Sequence, residues 1–248
     1  MKTLMIYGAA GYTGGMAAEH AASAGIHLVV AGRAKDRESL DILAGRLGAD
    51  IRLFSLDDPE AVARGLEGIS VLLNAAGPFM KTAKPLMSAA IRAGVHYLDF
   101  SAELDTYRQA LALDGQAHAA GVMLLPGSGG SVAMLGSLAG HALARVANPC
   151  KISIALQVAG GMSRGSVTSA SQSITTETLH LVGGELVARS PEEVRDFDFG
   201  EGPLSSFPVT LPDLVTLHQA TGVREIARGG GCVPYGRRQR TLCGAQRG

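Results

Sequence analysis

Six short apolar runs, each followed by a turn and then a stretch of helical spacing, set the rhythm of the first half of the chain. They are the KTLMIY that follows Met1, then Ile26 to Ala31, Ile51 to Leu56, Ser70 to Asn74, Val95 to Phe100 and Val122 to Leu125. Strands buried on both faces read as continuous apolar runs, without the alternation of a half-exposed strand. Thr13 to Ala24, Ser39 to Leu47, a segment opening at Asp57-Asp58-Pro59-Glu60, Lys84 to Ala93 and Leu104 to Ala120 read as the intervening helices. Gly25 stands as a stop after the first of them. Strands alternating with helices predict an α/β fold with a doubly wound parallel sheet.

Past Ser131 the texture changes. A helix is expected over Val132 to Val146, followed by Cys150 to Val158, which alternates as an antiparallel strand would. A Ser/Thr/Gly-rich stretch and a short run at Glu185 to Arg189 come next. This predicts a Rossmann-type domain over 1–128 and a smaller α+β domain over 129–227, which supplies a substrate-side wall and a dimer surface. From Arg228 onward the text is glycine- and arginine-rich without periodicity, and reads as an irregular basic tail over 228–248, either a disordered tail or a truncated or frame-shifted end.

The first turn carries the candidate chemistry. The strand runs into Gly8-Ala9-Ala10-Gly11-Tyr12-Thr13-Gly14, a G-x-x-G-x-x-G spacing. Such glycines allow a tight turn and close backbone approach. The unpaired amides of the helix that follows can hold a pyrophosphate, with Thr13 as its cap. Gly8, Ala10, Gly11, Tyr12, Thr13 and Gly14 are therefore candidate dinucleotide contacts. An acid after the second strand would favour the ribose 2′-hydroxyl of NAD, and an arginine the 2′-phosphate of NADP. The chain has Gly32-Arg33, with Lys35 and Arg37 close by. A guanidinium suits bidentate phosphate recognition, so NADP(H) is the expected cofactor. Asp57 is a candidate for the adenine amino group, or else a plain helix cap. Asn74, Ala75, Ala76, Gly77, Pro78 and Phe79 form a second small-residue turn at a strand end, on the side expected for the nicotinamide.

Balanced charge, with 22 basic and 22 acidic residues, gives no reason to expect nucleic acid or an anionic membrane as partner. No apolar run is long enough to span a bilayer, and no signal segment precedes the first strand. Cys150, Cys232 and Cys243 are widely spaced, and His118 and His141 lack metal-ligand spacing. The expectation is a cytoplasmic homodimer without a metal site.

The motifs GAAGYTG, AGR, NAAGPF, GVHYLDFSAE, LLPGSGG and GGMSRG, in this order, resemble the saccharopine dehydrogenase-like oxidoreductases, in particular the branch that includes the trans-acting enoyl reductase type. The resemblance covers roughly Met1 to Ile226. It implies a Rossmann domain followed by an α+β domain, with NADP(H) in the crevice and hydride transfer as the reaction. Two departures stand out: Ser101-Ala102-Glu103 where relatives carry Gly-Glu, and Gly129-Gly130-Ser131 where they carry a G-F-D segment. The resemblance also implies a chain that continues well past this one.

Hydride transfer asks the protein for positioning, a proton donor or acceptor, and exclusion of water. Tyr97, Asp99, Ser101 and Glu103 alternate along and beyond the fifth strand, so they share a face if the strand persists. Tyr97, Asp99 and Glu103 are the acid–base candidates; Ser101, Ser163 and Arg164 are candidates for substrate contact. The plainer alternative has Tyr97 and Asp99 satisfying backbone groups and Glu103 capping the next helix. Two other functions are open: a non-catalytic NADP(H)-binding sensor or interaction module, and a thiol-dependent semialdehyde or acylphosphate reductase using Cys150. Against the thiol enzyme, the segment after Cys150 alternates like a strand.

Overall fold

The computed structural model describes residues 2–158, 178–188, 194–200 and 202–232. Two compact units divide the chain, Met1–Met134 and Leu135–Gly248.

The first unit holds β1 (Thr3–Tyr7), α1 (Tyr12–Ser23), β2 (His27–Gly32), α2 (Arg37–Leu47), β3 (Asp50–Leu53), α3 (Pro59–Gly65), β4 (Val71–Asn74), α4 (Phe79–Ala93), β5 (His96–Asp99), α5 (Leu104–Ala119) and β6 (Leu124–Leu125). The sheet order is β3-β2-β1-β4-β5-β6, with every pairing parallel. That is the doubly wound Rossmann arrangement, in which the strand order reverses between β1 and β4 and ligands lie beyond the carboxyl ends of the strands. The expected fold class is the one observed. Apart from β2, which keeps its length, the strands are shorter than their apolar runs, notably β3 and β6. Beyond Leu53 the chain turns away: Phe54 is buried against Tyr7, the rings stacked with centroids 5.0 Å apart.

Core residues fall on both faces of this sheet, which is why its strands read as unbroken apolar runs. On one face Met5, Val29, Leu72 and Tyr97 pack with Leu86, Met87 and Ala90 of α4. On the other, Ile6, Leu28 and Val30 pack with Ala18 and Ala21 of α1 and Leu40 and Leu43 of α2. Alanine on α1 lets that helix lie close to the sheet.

The second unit contains most of α6 (Gly130–Leu143), then β7 (Lys151–Val158), β8 (Leu179–Val182), β9 (Glu185–Ala188), β10 (Arg195–Asp198), β11 (Pro203–Pro208), α7 (Asp213–Thr221) and β12 (Glu225–Cys232). Leu135, Ala139 and Leu143 of α6 pack on a core of Ile152, Ile154, Leu181, Leu214, Leu217, Val223 and Ile226. Two expectations are corrected here. The Cys150 to Val158 stretch pairs in parallel with β12, from Glu225 opposite Lys151 to Cys232 opposite Val158. Alternation reports that one face is buried, and it is blind to the direction of the partner. The supposed tail also begins too early, because the backbone from Arg228 to Cys232 continues β12. Gly229 to Gly231 are held there by ladders to β7 and β11, and their composition hides this.

At the start of α3, the cap is Asp58, whose Oδ1 accepts from Glu60 N and Ala61 N, both at 3.0 Å, with Pro59 at the first helical position. Replacing a capping aspartate by alanine costs about 1 kcal/mol. Asp58→Ala is therefore expected to lower the stability of the first unit by about that amount, read as a reduced urea midpoint at unchanged slope.

Candidate functional site

The glycine-rich turn joins β1 to α1 at the reversal of strand order. Gly8 has a φ of 88°, in the left-handed region. A Cβ there would stand 2.8 Å from Ala76 N and 2.9 Å from the carbonyl carbon of Ala75. At Gly14 a Cβ would strike the Gly8 carbonyl oxygen. The turn is closed by Gly11 N donating to Gly8 O at 3.0 Å, and Gly8 N donates to Ala31 O at 2.8 Å. Backbone alone fills this place, and a ligand can approach the peptide planes directly.

Helix α1 starts at Tyr12 with Gly11 as its N-cap, and no side chain bonds to its first turn. The expectation that Thr13 caps this helix is thus corrected: Thr13 lies one residue inside it, where its backbone is already helical. The first amides of a helix have no intrahelical partner and sit at the positive end of the dipole. Ala10, Gly11, Tyr12 and Thr13 are all exposed around them. The geometry fits a dinucleotide's pyrophosphate.

At the neighbouring strand ends, Arg33 follows β2 and precedes a short 3-10 turn, Ala34–Asp36. Its Nε donates to Asp36 Oδ2 at 3.3 Å. The Tyr7 hydroxyl donates to Phe54 O at 3.3 Å. Burial pushes Tyr7 above the usual phenol range, with the Arg33 cation working against this and Asp36 and Asp57 adding to it. Those charges therefore gather around one tyrosine at the ends of β1, β2 and β3. Asp57 accepts from Ser55 Oγ at 3.0 Å, and the helix cap is its neighbour Asp58. Of the two roles expected for Asp57, the cap is excluded.

The Asn74 to Phe79 turn lies directly against Gly8. Ala75 N donates to Tyr7 O at 2.8 Å, and Ala76 N donates to Asn74 Oδ1 at 3.0 Å. Asn74 Nδ2 donates to Thr82 Oγ1 at 3.0 Å and to the Tyr97 hydroxyl at 3.1 Å. Thr82 Oγ1 in turn donates to Ala76 O at 2.6 Å. Gly77 and Pro78 complete the turn, and Phe79 opens α4 and packs on the core below.

Tyr97 and Asp99 stand beneath this turn, and both are fully buried. The Tyr97 hydroxyl donates to Asp99 Oδ2 at 2.7 Å. Asp99 Oδ1 accepts from Ser101 N at 2.8 Å and from Gly127 N at 2.7 Å. Burial raises the Tyr97 phenol far above its ordinary range, with the Asp99 charge adding to the effect. Desolvation also raises the Asp99 carboxyl, against the lowering by its Gly127 and Ser101 amide donors. The strand ends at Asp99, so Ser101 and Glu103 do not continue its alternation. Ser101 is buried, and its Oγ accepts from Glu103 N at 3.0 Å. The Glu103 carboxylate accepts from Phe79 N at 3.1 Å and Met80 N at 2.7 Å, so it caps α4. The plainer alternative gave it the following helix, α5, where it sits at the N-cap position but its side chain makes no capping bond to that helix.

The structure brings Asn74, Tyr97 and Asp99 into one network, and Glu103 to the adjoining helix start. Ser163 and Arg164 lie outside the described residues. Cys150 is exposed and free, immediately before β7. Among the described residues, no group of three or more His, Cys, Asp or Glu could hold a metal ion, and no helix is long and apolar enough to cross a membrane. Sequence reasoning missed Tyr7, Asp36 and Thr82. The three-residue spacing of Arg33 and Asp36 on a turn was the available signal for one of them.

Residues 4–125 match the family described as the saccharopine dehydrogenase NADP binding domain. This segment belongs to the saccharopine dehydrogenase NADP binding domain family. The domain takes NADP(H), as the glycine cradle and Arg33 led us to expect. The trans-acting enoyl reductase of Mycobacterium tuberculosis (strain ATCC 25618 / H37Rv) is 31% identical over 117 residues, covering 44% of this chain and 28% of the relative. That of Mycobacterium leprae is 30% identical over 128 residues, covering 49% and 31%. The apo saccharopine dehydrogenase (L-Glu forming) of Saccharomyces cerevisiae superposes with a TM-score of 0.66 at 15% identity, over 93% of this chain and 55% of that one. The chain thus spans under a third of those mycobacterial relatives and about half of the yeast enzyme. At that identity the yeast structure speaks for the fold alone.

Removing the Tyr97 hydroxyl would leave buried Asp99 one donor short, and an unsatisfied buried polar group costs about 1–3 kcal/mol. Tyr97→Phe is expected to lose stability of that order in urea denaturation. Because the Tyr97 hydroxyl also accepts from Asn74 Nδ2, affinity for NADPH should fall with it, as measured by nicotinamide fluorescence.

Proposed function

We propose that the chain is the cofactor-binding part of an NADP(H)-dependent oxidoreductase that transfers hydride to or from a small carbonyl, imine or enoyl substrate. The observation that carries this reading is the backbone-only cradle of Gly8 and Gly14 with an arginine at the end of the next strand. Gly11, Tyr12, Thr13 and Gly14 surround the pyrophosphate with amides, and Arg33 takes the adenosine 2′-phosphate with its terminal nitrogens. Asp57 would take the adenine amino group. Asn74 to Phe79 form the wall beside the nicotinamide, which supplies the hydride when bound.

In this reading Tyr97 and Asp99 act from below that wall. They hold Asn74, and through it the peptide of Ala76, in register with Gly8. Glu103 fixes the first turn of α4 and is only partly buried. The name of the mycobacterial relatives, trans-acting enoyl reductase, favours an enoyl group among the substrates. A cytoplasmic homodimer is part of the proposal.

The test combines binding and turnover. NADPH should bind the purified chain, and Arg33→Ala should weaken it about tenfold or more, the equivalent of about 1.4 kcal/mol. Loss of NADPH absorbance is then followed with a panel of carbonyl, imine and enoyl compounds. Turnover on any class establishes the oxidoreductase. Tight binding with no turnover across the panel points instead to a cofactor-binding module.

A further inference from the structure

The end of β2 holds a carboxylate as well as a guanidinium. Gly32 closes the strand without a side chain, and the Asp36 side chain folds back into the space. A Cβ built on Gly32 would meet Asp36 Oδ2 at 3.5 Å and Asp36 Cβ at 3.6 Å. Rossmann domains selective for NAD place an acid at this strand end, where it accepts from the ribose 2′-hydroxyl. Here the acid arrives from four residues downstream, carried back by the 3-10 turn.

Its bonding leaves room for a ligand. Arg33 N at 3.2 Å and Arg33 Nε at 3.3 Å both donate to Asp36 Oδ2, and Oδ1 takes part in neither bond. On the arginine, the terminal nitrogens take no part in this contact. The side chains are 58% exposed for Arg33 and 26% for Asp36, so both are open to a bound molecule. An exposed ion pair at three-residue spacing contributes little to stability. Its position, beside Tyr7 at the ligand-bearing end of the sheet, is what gives it a role.

We infer that Arg33 and Asp36 form a two-way adenosine site that also admits NAD(H): Asp36 Oδ1 accepts from the 2′-hydroxyl of NAD(H), while the Arg33 terminal nitrogens bind the 2′-phosphate of NADP(H). This rests on the proposed role of Arg33. Asp36 also places a negative charge next to the 2′-phosphate, so it moderates the preference for NADP(H).

Equilibrium titration of the purified chain with NADPH and with NADH, read by nicotinamide fluorescence, tests the inference without any substrate. Wild type is expected to bind both. Asp36→Ala should raise the Kd for NADH about fivefold or more and leave that for NADPH unchanged or lower. Asp36→Asn keeps the shape of the turn and, should the alanine variant fold poorly, must shift the ratio of the two Kd values the same way. Wild type that binds NADPH but no NADH overturns the inference. So does an Asp36 variant whose two affinities change by the same factor or not at all. Arg33→Ala separates the two claims: if it leaves NADPH affinity unaltered, the arginine assignment fails, whereas an unmoved NADH affinity in the Asp36 variants sinks the two-way site alone.

Discussion

Backbone against backbone at Gly8 is the contact on which the ligand end of the first unit depends. The peptide of Gly8 lies on that of Ala75–Ala76, and the start of α1 at Gly14 lies on Gly8. Neither approach leaves space for a methyl group. Three pieces of chain from separate parts of the sequence, the end of β1, the opening of α1 and the turn after β4, therefore meet as bare peptide. Small residues at 75 and 76 complete the arrangement, since bulk there would push the two turns apart. A shallow floor of amides results, at the point where strand order reverses and a crevice opens.

Beneath that floor a polar chain is buried at a cost that only full pairing offsets. Asn74 bonds to Thr82 and Tyr97, Tyr97 to Asp99, and Asp99 to the amides of Ser101 and Gly127. The Asp99 carbonyl also accepts from Ser128 N and Ser128 Oγ, both at 2.8 Å. The network ties the ends of β4 and β5 and the loop after β6 together, where β6 itself contributes only two residues of ladder. Side-chain bonds thus finish what a short strand begins. Ionisable residues at a strand end can be the fastening of the site's wall, and their burial is the mark of that use.

Local signals made most of the first unit legible. Strand and helix alternation, the glycine spacing and Arg33 each depend on residues within one strand–turn–helix step, and all of them appear where the pattern put them. What stayed hidden depends on pairing across long stretches of chain. Glu103 meets Met80 across the rest of α4 and all of β5, Asp99 meets Gly127 across α5 and β6, and β7 finds β12 more than seventy residues later. Alternation along Tyr97, Asp99, Ser101 and Glu103 put four polar groups on one face, but the strand stopped at Asp99; Ser101 turned to the amide of Glu103, and Glu103 to those of Phe79 and Met80. Thr13 was misread for a smaller reason: a cap must precede the helical backbone, and the glycine at 11 already does so.

Helix starts at the ligand end of this sheet are not equivalent, and the difference selects one of them for an anion. α2 has Glu38 in its first turn, α3 has Asp58 and Glu60, and α5 has Asp105. α4 has no acid of its own, yet Glu103 reaches across to its first two amides. Carboxylates at these positions neutralise the positive pole of each helix and would repel a phosphate. α1 has neither an acid in its first turn nor a side-chain cap, and it is the helix entered through glycine. Among α1 to α5 it is therefore the start at which a diphosphate meets bare amides and an unopposed dipole. The arrangement of acids around the sheet, as much as the glycines themselves, directs the dinucleotide to the turn after β1.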